Sequence, residues 1–170
     1  MKKIIFFIFI IFTSIVYSND NIVIERSSFA LRLNIDENNY WEWTVPQSPY
    51  VFNENHIQFY PEEILFIEAE VVNNIVVELT VVNEVINENK TIIIKFNQIT
   101  NRENPRIHGF MMLEIHNPFN KILEYSGGIY LVQQNRWVNL RSIPVQAELI
   151  SYQSFPDVIG AMVLHDFVLR

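Results

Sequence analysis

RIHGFMMLEIHNPFNKILEYSGGIYLV, residues 106–132, is the stretch whose reading decides the fold. Apolar and polar side chains alternate on both sides of Asn117-Pro118-Phe119-Asn120, and a period of two marks a half-buried strand. Proline presets φ for the first loop position, and asparagine tolerates the left-handed conformation at the third. The spacing therefore predicts a β-hairpin with Asn117 opposite Lys121. Ile115 then faces Leu123 and Leu113 faces Tyr125 on an apolar side, while His116 meets Ile122 and Glu114 meets Glu124 on the other.

Working outward, the same alternation recurs. Phe29, Leu31, Leu33 and Ile35 share one face of residues 28–35, and Trp41, Trp43 and Val45 continue it beyond the turn residues Asp36-Glu37-Asn38-Asn39. Leu65, Ile67, Ala69 and Val71 share a face of residues 63–72. Asn73-Asn74 fits a two-residue type I′ turn, whose central residues both need positive φ. Further strands are expected over residues 21–26, 56–60, 75–86, 90–96, 136–140 and 161–169, with an irregular stretch around Pro144 and Pro156. No segment carries a sustained helical period with caps. About nine or ten short strands with regular turns predict one all-β domain, an antiparallel β-sandwich loosely immunoglobulin-like in architecture. A small outer-membrane barrel alternates lipid-facing and lumen-facing residues. Ile92-Ile93-Ile94 and the valine pairs at 76–77 and 81–82 break that alternation and favour the sandwich.

Lys2 and Lys3, an apolar run over residues 4–12, and Val16 and Ser18 at the −3 and −1 positions read as a secretory signal peptide, residues 1–18. The apolar run is shorter than the ~20 residues that a spanning helix needs, so no membrane span is expected after cleavage. The mature domain is then residues 19–170. The leader holds two of the twelve basic residues and none of the nineteen acidic ones, so the mature chain carries a net charge of −9. Phosphate backbones are bound through excess Lys and Arg, so nucleic acid is an unsuitable partner. The absence of cysteine excludes disulfides, thiolate metal sites and a cysteine nucleophile. Heavy use of Ile and Asn, together with the lysine-led leader, points to a bacterial source and a periplasmic or extracellular location. The closing pattern of Trp137-Val138, Pro144-Val145, Ser151-Tyr152, Phe155-Pro156 and Leu164…Phe167…Leu169 resembles uncharacterised exported bacterial β-proteins; it implies no activity.

Two constellations carry the functional expectations. Glu114 and Glu124, opposed in the hairpin with His116 nearby, form a candidate divalent-cation site, and through it a metal-assisted hydrolase is an alternative. Two solvated glutamates are the plain reading of the same residues. Trp41, Trp43 and Tyr60 form a candidate ligand-binding group, since exposed aromatic rings beside polar groups make platforms for sugars; filling the core is the plain reading there. His165 and Asp166, adjacent in a strand, are expected to point to opposite faces. There is no G-x-S-x-G elbow, and the four glycines form no phosphate-cradling loop. The leading expectation is a non-enzymatic binding or structural module with no bound cofactor and an unspecified ligand, whose open strand edges suit pairing with another protein. Carbohydrate binding through Trp41 and Trp43 stands behind the metal reading as a second alternative.

Overall fold

A computed structural model describes residues 24–170, and all of their regular structure is β. The expected signal peptide lies outside the described residues. Fourteen strands follow in chain order. They are β1 (Glu25–Arg26), β2 (Phe29–Asn34), β3 (Tyr40–Val45), β4 (Ser48–Pro49), β5 (Val51–Phe52), β6 (His56–Phe59) and β7 (Ile64–Val72). The rest are β8 (Ile75–Val82), β9 (Thr91–Thr100), β10 (His108–His116), β11 (Leu123–Leu131), β12 (Arg136–Asn139), β13 (Ile150–Phe155) and β14 (Ile159–Leu169). The count exceeds nine or ten because the two-residue strands β4 and β5 form in the expected loop and because β13 forms where irregular chain is expected. In β13 it is Ile150 and Tyr152 that face solvent, so the apolar pattern gives no inward face to read.

One ten-stranded antiparallel sheet runs in the order β12-β11-β14-β8-β7-β9-β10-β13, with β6 also on β14 and β5 on β6. Strands β14 and β8 are joined by the single pair Val168–Ile75, which divides the sheet into two halves. The inner residues of both halves share one buried cluster, from Leu113 and Ile115 on β10 to Leu123 and Ile129 on β11. The two halves meet again at Val145, whose N–H donates to the Leu123 carbonyl at 2.9 Å and whose carbonyl accepts from Asn117 Nδ2 at 3.1 Å.

The expected hairpin at residues 106–132 is corrected. Both strands exist, and Leu113, Ile115, Leu123 and Tyr125 are buried as the alternation predicts. They do not pair with each other: β10 lies between β9 and β13, and β11 lies between β12 and β14. Residues 117–122 instead cross from one half of the sheet to the other. Asn117 is fully buried at this crossing, and its amide donates to the carbonyls of Lys121, Val145 and Gln146 while accepting from the Phe119 N–H. Those bonds satisfy the turning backbone without a hairpin ladder. The crossing also sets Glu114 beside Lys95, which replaces a repulsive Glu–Glu pair with an attractive one.

The β2–β3 hairpin forms a separate two-stranded sheet. Leu31, Leu33 and Val45 are fully buried in a second cluster with Tyr60, Val132, Val158 and Ala161. A lone hairpin is marginal in water; complete burial of such side chains contributes roughly 1.5–3 kcal/mol each. Gln98 fastens the hairpin to the sheet: its Oε1 accepts from Asn34 N–H at 2.8 Å, and its Nε2 donates to the Asn34 carbonyl at 2.8 Å and to His108 Nδ1 at 2.9 Å. His108 Nε2 then donates to the Pro156 carbonyl at 3.0 Å. Burial holds the His108 pKa below its ordinary value, in keeping with a neutral ring that accepts at Nδ1.

Candidate functional site

The hairpin overhangs one half of the sheet and leaves a cleft of about 410 Å³ beside it, lined by Trp41, Trp43, Gln58, Tyr130, Trp137 and Ala161. These residues come from five strands. Period-two alternation on β3 turns Trp41 and Trp43 to the same side as Val45, toward the sheet. On the sheet, Tyr130 of β11 lies opposite Trp137 of β12 and Ala161 of β14. Gln58 of β6 lies opposite Val163, two residues further along β14. The aromatic rings form a continuous series: Trp137–Tyr130 at 5.7 Å between centroids, Tyr130–Trp41 at 6.4 Å, Trp41–Trp43 at 6.0 Å and Trp43–Tyr60 at 5.7 Å. Tilted rings at these separations attract through their quadrupoles as well as by burial.

Gly160 makes the cleft possible. A Cβ there would lie 3.0 Å from the Trp41 ring and 3.1 Å from Val132 Cγ2, so a glycine lets the indole settle against the β14 backbone. At the other end the Tyr130 hydroxyl donates to Asn135 Oδ1 at 2.5 Å, which fixes the phenol beside Trp137. Trp43 is 42% exposed and Trp137 49% exposed, so both rings offer apolar surface to a ligand. No lining residue carries a charge. The cleft therefore suits a neutral molecule with a flat apolar face and hydroxyls to meet Gln58 and Tyr130.

Tyr60, grouped with the tryptophans on sequence, is 3% exposed and backs Trp43 instead of lining the cleft. Behind it lies Arg26, which is 2% exposed. Its Nε donates to Glu63 Oε1 at 3.1 Å, one terminal nitrogen to Ser48 Oγ at 3.3 Å, and the other to the Gln58 carbonyl at 2.5 Å. The guanidinium also lies 4.4 Å from the Tyr50 ring centroid and 4.7 Å from that of Tyr60. Glu63 Oε2 accepts from the Tyr60 N–H at 2.8 Å. Burial raises the Glu63 pKa, with the Arg26 charge pulling against it. This network ties β1 to the corner between β6 and β7 and holds the strand that supplies Gln58.

Glu114, His116 and Glu124 are not brought together. Leu113 and Ile115 on β10 and Leu123 and Tyr125 on β11 point into the shared core, so the alternating glutamates point away from it on different halves of the sheet. Glu114 Oε1 binds Lys95 Nζ at 2.7 Å, and Glu124 Oε2 binds Arg170 Nε at 2.8 Å. Among the described residues no three His, Cys, Asp or Glu side chains gather as a metal group. The expectation for His165 and Asp166 is also corrected: His165 Nδ1 meets Asp166 Oδ2 at 2.7 Å. A β-bulge sets two residues of β14, Asp166 and Phe167, against Tyr125 alone, and Asp166 takes φ 54°. The bulge swings its carboxylate back beside the ring.

The parts of the cleft that sequence reading missed are Gln58, Tyr130, Trp137, Gly160 and Ala161. Trp137 was legible as an aromatic residue on a short strand, but its partnership with Trp41 depends on strands nearly a hundred residues apart. No family model, curated protein or solved structure matches the chain. No helix among the described residues is long and apolar enough to cross a membrane.

Proposed function

We propose that the chain is an exported, non-enzymatic binding module, a β-sandwich loosely immunoglobulin-like in its layering, that takes a neutral saccharide in the cleft between the β2–β3 hairpin and the sheet. One observation carries this reading: all three tryptophans of the chain line one uncharged cleft, two of them substantially exposed. The apolar face of a pyranose stacks on an aromatic ring while its hydroxyls need hydrogen-bonding partners, and Gln58 and Tyr130 stand beside the rings. The leader at residues 1–18 supports export. Strand-edge pairing with a protein, the other partner class expected, applies to β12 and β13, which end the sheet order.

The experiment is a glycan array followed by titration of the captured neutral oligosaccharide, read by tryptophan fluorescence. Trp137→Ala is the sharpest variant, because its half-exposed ring lies on a terminal strand and holds no buried core. It is expected to retain the parent's melting transition and to lose tenfold or more in affinity, about 1.4 kcal/mol. Trp43→Ala should do the same. Capture of no saccharide, or equal affinity in both variants, overturns the reading.

A further inference from the structure

The strand pair that supplies Gln58 continues outward to a second feature. The antiparallel register that sets Val163 opposite Gln58 and Leu164 opposite Ile57 carries on to place His165 opposite His56. Their imidazoles stack, with centroids 5.0 Å apart and planes 18° apart. Each ring is tied through Nδ1 to an oxygen: His56 to Asn55 Oδ1 at 2.9 Å and His165 to Asp166 Oδ2 at 2.7 Å. An amide or carboxylate oxygen only accepts, so Nδ1 bears the hydrogen in both rings. In the neutral form each imidazole then carries its lone pair on Nε2, and both side chains are partly exposed. Metal-binding histidines are held in this way, with the second nitrogen donating to a carboxylate or carbonyl that fixes tautomer and ring direction. On β14 that carboxylate is delivered by a bulge whose non-glycine residue adopts a left-handed φ, a device that re-aims a side chain.

We propose that His56 and His165 form a two-imidazole site for a divalent late first-row transition ion, with Asp166 and Asn55 as positioning residues and water in the remaining positions. Imidazole favours this class of metal, and Cu²⁺ heads the affinity order. Metal–nitrogen bonds of about 2.0–2.1 Å bring the two Nε2 atoms to roughly 3 Å, so the rings tilt together at their Nε2 edges. Two protein ligands make an exchangeable site. The other histidines do not compete on these terms: both nitrogens of His108 are engaged, and His116 lies on β10 in the other half of the sheet. The site shares no residue with the saccharide cleft and stands or falls separately.

The test is titration of the purified, metal-free protein, carrying no polyhistidine tag, with Cu²⁺ at neutral pH, followed by electron paramagnetic resonance. The expected spectrum shows one ion per chain with splitting from two imidazole nitrogens. His56→Gln and His165→Gln should each lower the affinity tenfold or more and leave one nitrogen in the spectrum. Asp166→Asn, which tolerates the left-handed backbone, should weaken binding about tenfold. His116→Gln should change nothing. If His165→Gln fails to fold, His165→Phe keeps a ring against His56 and removes the ligand. No saturation at millimolar Cu²⁺, a one-nitrogen spectrum in the parent, or unchanged binding in the His56 and His165 variants overturns the site.

Discussion

Two ion pairs lie on different sides of this molecule, and the shorter one is the more exposed. Lys95–Glu114, at 2.7 Å, sits on the outward face of β9 and β10 with the lysine side chain 39% exposed. Arg26–Glu63, at 3.1 Å, sits beneath the aromatic cleft with the arginine side chain 1% exposed. Water screens the first pair, so most of its Coulomb attraction is already available to the separated partners. The second pair has lost its hydration and depends on each partner to compensate the other. The surroundings follow the same division. Beyond Lys95–Glu114, Lys90 binds both Glu68 and Glu70, so charges on that half answer one another at the surface. The other half carries partly exposed rings over a buried network, and it is this half that holds a cleft suited to a neutral ligand.

Removing Arg26 should produce the largest effect. Arg26→Met keeps much of the aliphatic stem and leaves Glu63 buried without its cation, a loss of about 3–5 kcal/mol that urea denaturation measures directly. The pH dependence identifies the cause. Burial raises the folded Glu63 pKa above its ordinary 4.5, and Arg26 is the main opposing influence. A raised carboxyl pKa gives stability that is present below the unfolded value and lost as pH rises through the folded one. In the variant the folded value climbs further, so the deficit relative to the parent should shrink as pH falls from neutral toward about 4.5. A deficit that stays constant over that window would mean that packing, and not the stranded charge, accounts for the loss.

Gly160→Ala comes next, because it changes shape and no charge. The added methyl meets the Trp41 ring at 3.0 Å and Val132 at 3.1 Å, closer than ordinary carbon contacts. Overpacking of this kind costs about 1–3 kcal/mol. Trp41 is also a wall of the cleft, so oligosaccharide affinity should fall along with the melting temperature. A variant that loses stability but binds as the parent does would detach Trp41 from the ligand site while leaving Trp43 and Trp137 in it.

How far these features can be read from sequence depends on their range along the chain. The inner faces of residues 28–35 and 63–72 follow from alternation, and Asn73 and Asn74 do adopt the positive φ values, 52° and 67°, that a type I′ turn requires. Those are local properties. The strands on either side of Asn117-Pro118-Phe119-Asn120 are equally legible, but their pairing is not, because the Asn117 side chain anchors the crossing by donating to the carbonyls of Val145 and Gln146, nearly thirty residues away. With the hairpin goes the Glu114–Glu124 juxtaposition. The tryptophans at 41 and 43 announce an aromatic face by spacing alone, whereas Trp137 joins them through a strand order that no local pattern encodes. His165 and Asp166 mislead in the opposite sense: ideal alternation separates them, and a single bulge brings them together.

The smallest effect should come from the exposed pair, and it is the one that decides whether the two sides are independent. Glu114 holds the Lys95 pKa above its ordinary value by hydrogen bond and charge, yet the lysine stands largely in water. Lys95→Ala should therefore change stability by no more than about 1 kcal/mol, and high salt should erase much of the difference. Glu114→Gln should match it, and the double variant should show a small coupling energy. Neither substitution touches Trp41, Trp43, Gln58 or the His56–His165 pair, so affinity for the oligosaccharide and for Cu²⁺ should equal the parent's within error. A tenfold change in either would mean that the outward face of β9 and β10 communicates with the cleft through the shared core, since residues such as Phe96 on β9 pack against Phe59 on β6, the strand that carries Gln58.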